Sequence, residues 1–258
     1  METILQDVRY GLRMLRNKPG FTAVAVLTLA LGIGANTAIF SVIQNVLLRP
    51  LPFSKPGNLV QIWNSYLPAF PQLGVSPGDY LDWHREQRSF SAMGGFTELT
   101  SGFNLTGEGE PQRVDAEYAT SDLFPLLGLR PVVGRGFNPE EDKPGSAPVV
   151  MLCHKFWESR YGGDPGVVGR TLTLDGRRYL VAGVLPAAAD VLRTADLWMP
   201  FGQSPDDLSE HVHHGVLGVG RLKPGVAIAQ AQAEFTELNH QEEIAFPDSH
   251  KHWGVVVG

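Results

Sequence analysis

The sequence predicts an α+β protein carried on one N-terminal transmembrane helix, and three observations predict it. The 28 residues from Phe21 to Leu48 hold no charged side chain, and cationic residues gather just before them. Downstream, short apolar or alternating runs interleave with helix-like segments, without the regular strand-helix repeat of a parallel sheet. Asp175-Gly176 joins two alternating runs, the pattern of a tight β-hairpin.

The chain averages conceal this division. Its 258 residues are 43% hydrophobic and 19% charged, with a net charge of -6. The first 50 residues carry +3, from Arg9, Arg13, Arg16, Lys18 and Arg49 against Glu2 and Asp7, which leaves -9 for the rest. An acidic balance of that kind argues against nucleic acid as a partner, because phosphate neutralisation needs surplus Lys and Arg. Cys153 is the single cysteine, so the chain forms no internal disulfide and no multi-cysteine metal site.

In residues 1–19, Ile4, Leu5, Val8, Leu12 and Leu15 recur at helical spacing opposite Arg9, Arg13 and Arg16, as in a cationic amphipathic helix lying among lipid headgroups on the cytoplasmic side. Lys18, Pro19 and Gly20 then break it. Residues 20–48 form the predicted transmembrane helix. At 1.5 Å per residue its apolar core runs about 42 Å, more than the ~30 Å of bilayer hydrocarbon, so its last turns emerge beyond the membrane. A cleavable signal peptide shares the basic start, but the apolar run is too long and lacks a small-x-small site at its end. Positive residues stay inside, so everything after Arg49 is expected outside the cytoplasm. Ala30, Gly34 and Ala38 form a stripe of small residues suited to other transmembrane helices, and Thr37, Ser41, Gln44 and Asn45 add a polar face.

Residues 49–258 are expected to form the extramembrane domain. Leu59–Trp63 reads as a strand and Pro77–Arg88 as a helix with Pro77 near its start. Phe96–Asn104 and Gln112–Tyr118 read as strands, and Ser121-Asp122 as an N-cap for a short helix over Leu123–Leu127. Val149–Leu152 follows as a buried strand, then a helix over Lys155–Tyr161 closed by Gly162-Gly163. After the hairpin, Leu197–Pro200 and Val216–Leu222 read as strands. Ala227–Ile244 reads as the longest soluble helix, apolar at Ile228, Ala231, Phe235 and Leu238. The Pro-, Gly- and acid-rich loop Asn138–Ala147 is the expected boundary between two subdomains.

Chemical signatures are sparse. The phosphate-binding GxxxxGK[ST] loop, the GxSxG elbow and HExxH are all absent, and the Gly162–Gly169 stretch reads as turns. His211, His213 and His214 are the metal candidate, with His211 and His213 on one face if the segment is a strand, but no carboxylate or cysteine is spaced to join them. Cys153 beside His154 reads as a buried structural thiol. Asp79, Asp82 and Glu86 read as surface ion-pair partners of Arg85 and Arg88. No catalytic, cofactor-binding or metal-binding residue is assigned on this pattern, and no enzyme activity is expected.

Six stretches, in order, carry a family resemblance. They are MLRNKPGFTAVAVLTLALGIGANTAIFSVIQNVLLRPLPF, SPGDYLDWHREQRSF, FNLTGEGEPQRVDAEYATSDLFPLLGLRPVVGRGFNPEED, PVVMLCHKFWESRYGGDPGVVGRTLTLDGRRYLVAGVLP, DLWMPF and GRLKPGVAIAQAQAEF. The chain resembles the MacB-like periplasmic core domain of ABC transporter permeases, particularly the acidobacterial type. The resemblance implies a first transmembrane helix, a periplasmic domain of two α+β subdomains and three further FtsX-like helices. The chain ends at His252–Gly258, before those helices, and so reads as the N-terminal part of such a permease. Implied partners are a cytoplasmic ABC ATPase, other transmembrane helices through Ala30, Gly34 and Ala38, membrane lipid, and a second permease copy or paired permease. The expected function is export or mechanotransmission; the alternatives are a stand-alone membrane-anchored binding module and a metalloenzyme built on His211, His213 and His214.

Overall fold

The structure, a computed structural model, describes residues 13, 16–46, 52–107, 109–204 and 208–258. It comprises two compact units, divided between Leu51 and Pro52.

The first unit contains the helix α1 (Pro19–Val46). Arg13, Arg16 and Asn17 are helical and Lys18 is not, so the break falls at Lys18, and Pro19 and Gly20 belong to the first turn of α1. Proline suits that first position because its missing N–H has no helical partner there. The other amphipathic residues, Ile4 to Leu12 and Leu15, lie outside the described residues, as do Leu47 and Leu48. Leu27, Leu31 and Ile33 stand exposed, and so do Ala30, Gly34 and Ala38. Among the described residues α1 is the one helix long and apolar enough to cross a membrane. An uncharged helix that exposes apolar side chains on every face is suited to lipid as its solvent.

Residues 52–258 are α+β, and their described residues form one continuous 12-stranded sheet. The chain begins in an open lobe with β1 (Leu59–Tyr66), β2 (Phe70–Leu73), α2 (Pro77–Glu86) and β3 (Phe90–Thr97). It crosses into a second lobe through β4 (Ser101–Thr106), β5 (Gln112–Ala119), α3 (Leu123–Leu127), β6 (Val133–Gly134), β7 (Val149–Leu152), α4 (His154–Tyr161), β8 (Thr171–Leu174), β9 (Arg177–Val184) and β10 (Leu197–Pro200). It then returns to the open lobe with β11 (Val216–Leu222), α5 (Ile228–Ala245), α6 (Pro247–His250) and β12 (Gly254–Val257).

The second lobe is a closed barrel. β4 pairs with β8, β8 with β9, β9 with β7, β7 with β10, β10 with β5, and β5 again with β4. Closure leaves these strands no free edge. Leu105 opposite Leu174, Leu172 opposite Tyr179, and Leu197 opposite both Ala116 and Leu152 are all buried. The Asp175-Gly176 hairpin forms as expected, with φ of 46° and 79°, the positive pair that a type I′ turn requires. Gly162 closes α4 at φ 60°, also as expected.

The open lobe is antiparallel, in the order β3-β11-β1-β12, with β2 a further partner of β1. α2 and α5 meet through Trp83 and Phe235, edge to face at 5.5 Å, and Phe90 of β3 lies 5.2 Å from the same Phe235 ring. Burying each of these aromatics contributes about 2–3 kcal/mol. On β12, Gln232 of α5 donates to Val255 O and accepts from Val257 N, both at 2.9 Å, and Asn239 donates to Trp253 O.

Five local expectations change. Phe96–Asn104 is two strands, because Glu98–Thr100 turns the chain out of β3. There Glu98 N donates to Gly215 O, the Arg193 guanidinium donates to Glu98 O, and Thr100 donates to the buried Glu117. Neither Ser121 nor Asp122 caps α3 by a side-chain bond; Asp122 instead meets His84 at 3.3 Å, and the Ser121 amide donates to Asp142. Pro77–Arg88 is helical only to Glu86. Ile228, the first residue of α5, is exposed. Finally, the loop Asn138–Ala147 parts nothing: Gln203 donates to Ser146 O and Asp142 accepts from Ser121, so the loop is fastened to the barrel lobe. The sheet narrows elsewhere, at the single β3–β5 register pair Phe96–Ala119.

Candidate functional site

A buried polar cluster lies in the open lobe, where three segments far apart in sequence converge. Ser76 begins α2 by accepting from Asp79 N at 3.1 Å, which sets Asp79 in the first turn facing inward and fully buried. The loop before β11 is held against α2 by Gly78 N donating to Glu210 O at 2.9 Å. Glycine is needed at 78, since a Cβ there would lie 2.6 Å from His211 Nε2 and 2.8 Å from Glu210 O. The third segment is α6, whose His250 is 1% exposed.

At the centre, Asp79 Oδ1 lies 2.7 Å from His211 Nδ1 and 2.9 Å from His250 Nε2. Glu242 Oε2 is 4.0 Å from His211 Nδ1, and Asp82 Oδ2 is 3.9 Å from His211 Nε2. Ser249 Oγ meets His250 Nδ1 at 2.9 Å. Phe246 stacks on His211 with centroids 3.9 Å apart. Two donor groups could each hold a metal ion, Asp79–His211–His250 and Asp82–His211–Glu242, with the ligand atoms of each within 4.8 Å of one another.

Three carboxylates against two imidazoles make the cluster electrostatically tense. Burial, with Asp79 and Asp82 nearby, pushes Glu242 up to about 7, against the opposing pull of His211 and His250. For His250, burial acts to lower the pKa, but the hydrogen bond to Asp79 and the charges of Asp79 and Glu242 outweigh it, and the net direction is up. His211 and Asp82 also line a groove of about 600 Å³, shared with Gly78, Leu81, Arg85 and Leu208.

The histidine cluster of the sequence thus separates. His211 enters the site, but not from a strand, since β11 begins at Val216. His213 is exposed and pairs with Glu210 at 2.8 Å. His214 packs on the Trp253 ring at 4.0 Å and bonds to Asn64 and the Gly74 carbonyl, and burial lowers its pKa. The carboxylate partner that spacing did not supply is Asp79, 132 residues upstream. Asp79 is therefore no surface ion-pair residue, whereas Asp82 and Glu86 do pair with Arg85 as expected. His250 and Glu242 carry no sign in the sequence that would mark them.

Enzyme-like geometry is weak. Ser249, His250 and Asp79 fall in the order of a hydrolytic triad, yet Ser249 Oγ donates to Phe246 O and His250 is buried. Cys153 is buried at the start of α4, and burial raises its thiol pKa, which suits a structural role.

Comparison with known proteins bears on the whole architecture. The family model described as MacB-like periplasmic core domain matches residues 22–238. Among solved structures, a domain of a protein described as a permease from Porphyromonas gingivalis matches at TM-score 0.62 and 16% identity, covering 80% of this chain and 92% of that one. The periplasmic region of MacB from Actinobacillus actinomycetemcomitans matches at TM-score 0.58 and 16% identity, over 83% and 94% of the two chains. The extracellular domain of the noncanonic ABC-type transporter YknZ from Gram-positive bacteria matches at 0.53 and 12%, over 77% and 100%. At these identities the likeness is one of fold. Among curated proteins, none matches the sequence.

Proposed function

The chain belongs to the family of MacB-like periplasmic core domains, and from that premise we propose that it is the N-terminal part of a membrane-anchored permease subunit of an ABC-type export or mechanotransmission system. The family is one of transporter permease domains and not of enzymes. In this reading α1 spans the inner membrane with its N-terminus in the cytoplasm. Residues 52–258 lie in the periplasm, where the domain docks a substrate or partner and moves with the permease. A cytoplasmic ATPase cannot touch a periplasmic domain, so its conformational change has to travel along transmembrane helices. The Ala30, Gly34 and Ala38 stripe is where α1 would pack against them, within one permease or between two.

The observation that carries the reading is the extent of the family match, which runs from within α1 through both lobes to α5. The exposed apolar surface of α1 and the basic Arg13, Arg16 and Lys18 before it support the orientation. Cysteine accessibility tests it directly, because the single native thiol is buried and removable. In a Cys153→Ser background, a membrane-impermeant maleimide added to spheroplasts should label Leu99→Cys, which is 79% exposed, and leave Arg13→Cys unlabelled. The opposite pattern rejects the proposed topology and with it the transport reading.

A further inference from the structure

We propose that Asp79, His211 and His250, completed by Glu242, bind one divalent transition-metal ion of the zinc class. This site is independent of the transport reading.

The donor chemistry is the first argument. Two imidazoles with two carboxylates are ligands for zinc and its neighbours, whereas calcium and magnesium prefer six or more oxygens. Spacing is the second. Four-coordinate zinc bonds of about 2.0–2.2 Å put neighbouring ligand atoms about 3.3 Å apart. Asp79 Oδ1 lies 2.7 and 2.9 Å from the two imidazole nitrogens, and the three ligand atoms all fall within 4.8 Å of one another. Shifts of about 1.5 Å or less bring these three to that spacing, and Glu242, 4.0 Å from His211 Nδ1, has to swing in as the fourth ligand.

The surroundings of the ligands are the third argument. A metal-bound imidazole usually donates its other ring N–H to an oxygen, which fixes the tautomer. Ser249 Oγ stands 2.9 Å from His250 Nδ1 for that purpose, and Asp82 Oδ2 faces His211 Nε2 at 3.9 Å. Independently, Asp79 Oδ2 is buried with no hydrogen-bond partner, although Asp79 is fully enclosed. A buried carboxylate oxygen without a donor is costly, and a cation at the cluster relieves it. The groove lined by His211 and Asp82 brings solvent to the edge of the cluster.

Bound there, the ion ties α2, the loop before β11 and α6 to one another. The clasp fastens the segment after α5 to the first helix of the domain.

The test uses the full chain without an oligohistidine tag, purified in detergent, stripped with chelator and dialysed against limiting Zn²⁺ or Co²⁺. Elemental analysis should find about one ion per chain. Co²⁺ should give the intense visible bands of four-coordination, and excess Zn²⁺ should raise the unfolding midpoint by about 5 °C or more. His250→Gln and His211→Gln should abolish uptake, and Glu242→Gln should weaken it at least tenfold while keeping the fold. His213→Gln should bind as the parent does. Failure of the stripped parent chain to take up either ion overturns the proposal, as does uptake unchanged in His211→Gln and His250→Gln. The first result makes the cluster a purely hydrogen-bonded clasp; the second makes the binding adventitious.

Discussion

The two lobes of residues 52–258 solve the same problem in different ways. The barrel lobe closes on itself, so backbone pairing satisfies its strands and apolar side chains fill it. The open lobe has an edge strand and an uncovered face, and both are completed by helices and by side-chain bonds between distant segments. Gln232 and Asn239 bond to β12 and the residue before it, while Asp79 holds His211 and His250 across 132 and 171 residues. The lesson concerns where sensitivity lies. The barrel depends chiefly on volume and packing, with the buried Glu117 held by Arg193 and Thr100 at its rim, and the open lobe adds to its aromatic core a few polar contacts whose loss is local.

The largest expected effect comes from breaking the seam between the lobes. Trp198 of β10 is fully buried, edge-on to Phe124 of α3 at 5.2 Å and to Phe96 of β3 at 6.0 Å. Trp198→Ala should cost about 3–5 kcal/mol, read as a lowered urea midpoint. If the lobes unfold separately in that variant, two transitions will replace one, which would sharpen the contrast between them.

A smaller loss confined to the open lobe is expected from Gly78→Ala. The added methyl meets His211 and the Glu210 carbonyl, so the loop before β11 must withdraw, at a cost of about 1–3 kcal/mol. Hydrogen exchange should rise in the loop around His211 and in α6 while the barrel strands stay protected. Equal loss of protection in the barrel would contradict the local character of the open-lobe contacts.

The smallest effect is a pH dependence. Burial lowers the His214 pKa below its ordinary 6.5, so on acidification the unfolded chain takes up the proton before the native chain does. That contribution to stability is complete above about 6.5 and is lost as pH falls from there toward the folded value. His214→Phe keeps a ring against Trp253 but removes the titration. The difference in urea midpoint between pH 7.5 and 5.5 should therefore shrink relative to the parent, and an unchanged difference would remove His214 from the account.

How much was legible follows from the range of each interaction. The Asp175-Gly176 hairpin, the Gly162 helix stop and the Pro77 helix start depend on residues within a few positions, so local rules found them. The break at Glu98–Thr100 was invisible because it is imposed by Arg193 and Gly215, and the Ser121-Asp122 cap failed because the Asp122 carboxylate turns to His84 instead. The polar cluster was half legible. His211 stands out in its histidine cluster and Asp79 reads locally as a surface residue, while Glu242 and His250 give no signal because their role exists only once α5 and α6 return to α2.

By itself the sequence determined the division into a basic-flanked apolar helix and an acidic α+β domain, since hydrophobicity, charge and turn chemistry are properties of neighbouring residues. It also carried the family likeness, spread over six ordered stretches. Barrel closure through the β10–β5 pairing, the narrow join at Phe96–Ala119 and the meeting of Asp79 with His211 and His250 were decided only in three dimensions. Each joins segments tens to more than a hundred residues apart, and no local propensity encodes which of them will meet.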